Sequence, residues 1–481
     1  MEPQKPVETT RDRGQPDVAI KSAALEKMTP TQAFGAEELD RRMLERRAVE
    51  AVIWGMAVVN YDLMLQEMLK AGGKVNQVIY WGRPLDWKNQ TLTPNPDTLY
   101  FMTFLNTKDV GPVVIEVPPA DANGSLNGNI VNVWQQPLED AGLLGVDKGK
   151  GVKLLMLPPG YTQPIPAGYE ALQPGTHGSY ALFRSNLKSH GEADVARSTA
   201  YAKQVRIYPL SQAADPPATV FTDVKDVLFD STIPYDESFF VHLDRIVQSE
   251  PWLERDRAMI DPLRTLGIER GKAFAPDAAT KQALANGIGE AHAWLAAKYD
   301  AGLPPFFEGT HWTFPAHPEM IKAASEGFNN PNEYPVDWRG LAYHYAYIGI
   351  KRLGAGQFYL INIKDKNGES YDGAKTYRLH VPPDVPIEQY WSLTAYDRDT
   401  HALIRNVDRA SRASNRAEVK KNADGSVDLY IGAKAPPGQD ANWIPTDPAR
   451  KFELMFRLYG PKKEFFDKVW VLPDVEQVKA E

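Results

Sequence analysis

The stretch TPNPDTLYFMTFLN, Thr93 to Asn106, sets Asn95, Asp97 and Thr98 at the mouth of a β-prone run that also carries Tyr100. A carboxylate held in a loop at a strand end is a candidate general acid or base, and a nearby phenol can form a polar wall beside it. Asp97 is therefore the acid–base candidate with Tyr100 in the same site, and Asn95 and Thr98 are candidate ligand-binding neighbours. The same residues also suit an ordinary turn. Pro94 and Pro96 restrict φ, Asn95 is biased toward extended backbone, and Asp97 and Thr98 can bond nearby main-chain groups. No second carboxylate can be paired with Asp97 from the sequence, so the two-acid arrangement of a glycosidase is not established.

Alternation along the C-terminal runs supplies further candidates. In QYWSLTAYD, Tyr390, Ser392, Thr394 and Tyr396 share one face. In TYRLHV, Arg378 lies with Thr376 and His380. In KFELMFRLYG, Arg457 lies with Glu453, Met455 and Tyr459, opposite an apolar stripe of Phe452, Leu454, Phe456 and Leu458. Such a face is either solvated, with Arg457 and Glu453 pairing at little net gain, or lines a concave pocket. In a pocket, Tyr396 and Trp134 would pack on a ligand while Arg378 and Arg457 clamp it electrostatically.

Other chemistries lack support. The chain has no cysteine, which removes disulfides, thiolate metal sites and cysteine nucleophiles together. There is no Walker loop, HExxH or GxSxG, and the glycines of RLGAGQFY lack the third glycine of a dinucleotide fingerprint. No cofactor is expected. His311 and His317 share a connector with Glu308 and Glu319, but loop histidines beside Trp312 and Phe314 more often pack or hydrogen-bond, so no metal is expected either. Asp365 to Glu369 begins like a calcium loop without the acid at its end, and reads as a hairpin turn. A formal net charge of −8 with no basic block argues against nucleic acid and anionic membranes as partners. No apolar run is read as reaching the roughly 20 residues of a membrane span. The opening MEPQKPVETTRDRGQPDV is polar and suits either an exported chain whose signal peptide has been removed or a cytoplasmic protein with a loose tail.

These residues need elements to hold them. At 481 residues the chain exceeds one ordinary core, so several domains are expected. After a flexible tail (1–35), Val49, Val52, Ile53, Met56, Val59 and Leu63 recur at helical spacing in an N-terminal helix region (36–75), which stops at Gly72-Gly73. Short β-like runs divided by Pro and Gly fill 76–235 and suggest an antiparallel sandwich. Three-to-four spacing returns near Asp236 and marks a helical domain and proline-rich connector (236–340). A second β-region occupies 341–481.

Two sets of motifs resemble a known pairing. TPNPDTLYFMTFLN, GPVVIEVPP, NIVNVWQQP and GVKLLMLPPGY resemble a bacterial domain of unknown function, number twelve-fifty-four. TYRLHVPPDVPIEQYWSLTAYDRDTHALIRN, NADGSVDLYIGAKAPPGQDANWIP and FELMFRLYGPK resemble its usual C-terminal companion, number twelve-fourteen. The loop ANWIPTDPARKF departs from the family pattern, where a glycine or serine and a shorter loop often occur. The resemblance implies an α+β multidomain fold: an immunoglobulin-like β-sandwich, a helical middle region and a C-terminal jelly-roll sandwich. It also implies frequent export to the periplasm, and it brings no reaction. The resulting expectation is a periplasmic or secreted protein that binds a small polar or glycan-like ligand in a cleft between its β-units, with cofactor-independent hydrolysis as the reaction to consider. The alternative is a non-catalytic structural or assembly protein that forms a homo-oligomer.

Overall fold

The computed structural model describes residues 34–347, 349–352 and 356–478. The flexible-tail and signal-peptide readings fall on residues that lie almost wholly outside these. Helix α1 (Ala36–Lys70) opens with Glu37 and Glu38 and closes with Lys70, each favourable for the helix dipole at its end. Its C-terminus is turned by Gly72 at φ +85°, where Gly73 N–H donates to the Met68 carbonyl.

The repeat of Val52, Ile53, Met56, Val59 and Leu63 suggests one apolar face, but every residue from Ala51 to Met64 is buried. By length and composition α1 is apolar enough to cross a membrane, which corrects the reading that no run approaches that length. Yet 83% of its apolar window is buried inside the protein. Helices α2 (Glu192–Ala202), α3 (Ser238–Ser249), α4 (Ile260–Thr265), α5 (Ala278–Ala301), α6 (Pro318–Ser325), α7 (Val336–Tyr345) and α8 (Lys463–Phe466) complete the set among the described residues. Of these, α3, α4, α5 and α7 pack on α1.

Glycine sets how close the helices come. A Cβ on Gly287 of α5 would lie 2.4 Å from the Cβ of Ala48 on α1, whereas one on Gly289 would meet nothing. Gly287→Ala is expected to cost about 1–3 kcal/mol by forcing α5 away from α1. Gly289→Ala, exposed in the same helix, should stabilise by about 0.5–1 kcal/mol. Urea denaturation of both variants checks the pair, and equal effects would contradict this packing.

The first β-region comprises β1 (Val78–Tyr80), β2 (Asn89–Gln90), β3 (Leu99–Asn106), β4 (Val113–Val117), β5 (Leu126–Asn132), β6 (Pro137–Gly142), β7 (Val152–Met156), β8 (Glu170–Leu172), β9 (Gly178–Ser185), β10 (Arg206–Pro209), β11 (Phe221–Asp223) and β12 (Phe229–Asp230). They form sheets ordered β11-β1-β3-β9-β5-β6 and β10-β4-β7-β8, with β12-β2 as a separate pair. The second region comprises β13 (Gln357–Asn362), β14 (Thr376–Val381), β15 (Trp391–Asp397), β16 (Ser411–Ala413), β17 (Val427–Gly432), β18 (Trp443–Pro445), β19 (Phe452–Tyr459) and β20 (Glu476–Val478). Its sheets run β13-β19-β15-β16 and β18-β17-β14-β20. The protein is thus a mixed α+β multidomain chain with several sheets. The purely antiparallel reading is corrected, because β1/β11, β2/β12, β7/β8 and β17/β18 pair in parallel.

Each large inner sheet is covered on both faces. Leu99, Phe101 and Leu105 of β3 pack with Val113, Ile115, Leu154 and Met156 of the neighbouring sheet. The alternate residues Tyr100, Met102 and Phe104 point the other way, into a core shared with α1. In β19, Leu454, Phe456 and Leu458 pack toward Leu379, Leu429 and Ile431, while Met455 joins the α1 core. Period-two alternation in two strands of different units therefore aims two sets of side chains at one central region.

Candidate functional site

A cavity lies where those two faces meet. From the first unit, Tyr100 and Met102 of β3 and Tyr180, Leu182 and Arg184 of β9 line it. The register places Tyr100 opposite Arg184 and Met102 opposite Leu182. From the second unit come Gln357 and Tyr359 of β13 and Met455 and Arg457 of β19, with Tyr359 opposite Arg457. Asn60 and Met64 of α1, the Thr91–Thr93 loop with Asn95, and Tyr347 and Ile350 beyond α7 close the remaining sides. Its volume is about 50 Å³, taken as the space open to the centre of a water molecule. That is more than one ordered water needs.

The two arginines give the cavity its character. Arg457 is 1% exposed and Arg184 7% exposed. Arg457 donates to Thr394 Oγ1 at 2.9 Å, to the Thr93 carbonyl at 3.0 Å and to the Tyr396 hydroxyl. Arg184 donates to Asn129 Oδ1. Every one of these partners is neutral. The guanidinium of Arg457 lies 5.2 Å from the Tyr359 ring centroid, and that of Arg184 lies 5.5 Å from Tyr100. Burial pushes the phenols of Tyr180, Tyr347 and Tyr359 up, so they remain neutral near pH 7 and supply no counter-charge. Asp140 reaches Arg184 only through Asn129, whose Nδ2 donates to Asp140 Oδ1 at 2.9 Å. Its other oxygen accepts the backbone N–H groups of Lys351 and Arg352.

Several buried atoms of the lining residues have no hydrogen-bond partner among the described residues: Asn60 Nδ2, Tyr180 Oη, Arg184 Nε, Tyr347 Oη and Arg457 Nε. Each can donate. Buried polar groups are seldom left unpaired, so five orphaned donors on residues around one cavity set this region apart.

The expected site residues divide. Asn95, Tyr100 and Arg457 line the cavity. Tyr396 stands behind it, accepting from Arg457 and donating to the Pro94 carbonyl at 2.7 Å. Asn95 also makes the expected turn, its Oδ1 accepting the Asp97 N–H at 3.0 Å. The other candidates lie elsewhere. Asp97 is fully buried but turns away from the cavity, accepting from Ser411 Oγ at 2.9 Å and Arg416 at 3.1 Å, with His190 3.5 Å off. Thr98 donates to the Ser185 carbonyl. Trp134 packs on Trp54 with centroids 4.6 Å apart in the helical core. Arg378 pairs with Glu476 on the outer sheet of the second unit. These four positions do not line the cavity: Asp97, Thr98 and Trp134 lie in turns flanking β3 and β5, and Arg378 stands on the sheet of β14, away from it.

Glu453 does not pair with Arg457 as the shared strand face suggested. It accepts instead from Tyr299 Oη at 2.8 Å and Arg398 at 3.0 Å, and lies 3.0 Å from His401 Nδ1. His311 pairs with Asp474 at 2.7 Å while His317 stacks on Trp338, so the two do not converge. Arg184, Tyr180, Tyr347 and Tyr359 escaped the sequence reading. For Arg184 a signal existed: alternation in Gly178–Ser185 aligns Tyr180, Leu182 and Arg184 on one face of a strand that is buried throughout.

Two of the nine non-glycine residues at positive φ among the described residues meet beside the cavity. Thr93 has φ +40° and His401 φ +54°, unfavourable conformations for residues carrying a Cβ, the more so for β-branched Thr93. Thr93 N–H donates to the His401 carbonyl at 2.7 Å, and the Thr93 carbonyl accepts from Arg457. The strained turn thus aims a carbonyl at the guanidinium.

Beside His401, burial and then the neighbouring His401 and His292 hold His344 well below the ordinary imidazole value of 6.5. A histidine kept neutral in the fold contributes stability above about pH 6.5, the unfolded value, that is lost as pH falls toward the folded one. The melting temperature is therefore expected to drop as pH falls below about 6.5, and His344→Gln should flatten that slope. An unchanged slope in the variant would assign the acid sensitivity elsewhere.

Residues 75–209 match the family described as Protein of unknown function (DUF1254), and residues 356–463 match Protein of unknown function (DUF1214). No curated protein matches the chain significantly. Among solved structures, the VPA0106 protein from Vibrio parahaemolyticus is similar with a TM-score of 0.55 and 17% identity, over 91% of this chain and 100% of that one. An uncharacterized protein from Burkholderia cenocepacia has a TM-score of 0.43 and 14% identity, over 92% and 96% of the two chains. The first likeness shows a shared fold that includes both β-regions and the helices between them. With both family matches in order along one chain, the cavity lies at the junction of the two matched units, and the protein belongs to the two-domain family of unknown function in which DUF1254 precedes DUF1214.

Proposed function

We propose that the protein binds a small organic anion in the cavity between its two β-units, with Arg457 as the anchor. The observation that carries this reading is a guanidinium 1% exposed, facing a cavity, whose protein partners are all neutral. Holding such a charge out of water costs several kcal/mol unless a counter-charge is supplied, and a bound carboxylate supplies it in fork geometry. The apolar lining from Met64, Met102, Leu182 and Met455 suits a ligand with a hydrocarbon body.

This narrows the broader expectation of a polar or glycan-like ligand. A space this small suits a small acid better than a sugar chain. The lining residues include no Asp, Glu, His, Ser or Lys, so the cavity favours binding over hydrolysis. The ion pairs of Asp97 with Arg416 and of Arg378 with Glu476 favour structural roles for those residues, as the assembly reading had it. We retain export as part of the proposal because the motifs resemble a family that is frequently exported, and we keep the immunoglobulin-like and jelly-roll labels for the units that supply the two walls.

Propionate and its neutral isostere propionamide test the reading. Propionate should raise the melting temperature in a concentration-dependent way and propionamide should not. Equal effects would remove the charge argument.

A further inference from the structure

Resting on that reading, we infer that the ligand carries two negative charges, as a short dicarboxylate whose ends are held by Arg457 and Arg184 across an apolar spacer. One carboxylate satisfies one guanidinium, and this cavity has two. They come from different units, Arg457 on β19 and Arg184 on β9, and line a single space. Each is more than nine-tenths buried, and each has an unpartnered Nε. Neither makes a direct bond to a carboxylate: Arg457 rests on two hydroxyls and a carbonyl, and Arg184 on an amide oxygen.

Two like charges facing one low-dielectric space also repel, so a monoanion leaves one charge unmet and their repulsion only partly relieved. Tyr359 and Tyr100 stand by the guanidinia with neutral rings, which orient the charges without neutralising them. Met102, Leu182 and Met455 line the same space as the two guanidinia and offer a surface for methylene groups. A second, more polar recess shares Arg184 with the cavity and is lined by Asn127, Asn129 and Asp140, so the Arg184 end is the one with room for a polar substituent.

Titration of the full chain with succinate and with butyrate, which has the same carbon count and one carboxylate fewer, tests the inference. Succinate is expected to bind at least tenfold more tightly, equivalent to about 1.4 kcal/mol. Arg184→Met should abolish that preference while still binding butyrate, and Arg457→Met should bind neither. Malonate against propionate repeats the comparison at shorter span without any substitution, so the result does not depend on the variants folding. If butyrate and succinate bind equally, the two-charge inference is overturned while the anion site stands. If no anion binds the native chain, the functional reading itself falls and this inference falls with it.

Discussion

Arg457→Met is expected to lose anion binding by at least about 100-fold, equivalent to roughly 2.7 kcal/mol, while changing the stability of the unliganded protein by less than about 2 kcal/mol. The second half of that expectation is unusual for a side chain 1% exposed at the centre of a fold. Removing one member of a buried ion pair typically costs about 3–5 kcal/mol, because the survivor is left charged and unpaired. Arg457 leaves no such survivor. Its loss strands a carbonyl and two hydroxyls, and the Tyr396 hydroxyl keeps its bond to the Pro94 carbonyl. Against that cost stands relief from holding a desolvated charge, and methionine is already the filler at Met64, Met102 and Met455 around the same space. Chemical denaturation and ligand titration on one preparation measure both halves. Arg457→Lys separates charge from shape: it keeps the cation but loses the planar fork, and binding should still fall about tenfold. A destabilised Arg457→Met with unaltered binding would make the residue a structural strut.

The contrast between Arg457 and Asp97 explains why only part of the site was legible in the sequence. Alternation is a local property, and it placed Arg457 with Met455 and opposite Phe456 correctly. It cannot say what lies across from a face. Glu453 looked like the partner of Arg457 because they share that face four residues apart, but its partners come from α5 and from Arg398 and His401 beyond β15. Those contacts are set by the β15–β19 pairing and by the packing of α5, neither of which alternation along one strand specifies. The same limit hid Arg184: its strand was recognisable, yet nothing in SYALFRS tells that both faces are covered, one by the neighbouring sheet and the other by the second unit. Helix α1 was misjudged in the same way, since a spacing pattern identifies its strongest apolar stripe but not how many layers surround it. The turn chemistry of Asn95 and the cap at Gly72 were legible because they are settled within a few residues.

Asp97→Asn should behave as the reverse of Arg457→Met, with stability lowered by about 2–4 kcal/mol and anion affinity unchanged within about threefold once the protein is folded. The carboxylate is fully buried, and its charge is matched by Arg416, which is itself only 20% exposed. Asparagine preserves size and still accepts from Ser411 Oγ, so what disappears is the charge. Arg416 would then keep only Glu418, 4.0 Å away and half exposed, where solvent screens the attraction. Because Asp97 lies in the first unit and Ser411 and Arg416 in the second, the loss is felt at the contact between units. The Asp97→Asn, Arg416→Met pair should show a coupling of at least about 1 kcal/mol in a double-mutant cycle, since the two charges then vanish together. Binding is expected to survive because the Asp97 carboxylate does not line the cavity, and its only link to the lining is the backbone N–H that Asn95 accepts, which the substitution leaves in place. A stable Asp97→Asn protein that has lost ligand binding would return Asp97 to the site and deny it this bracing role.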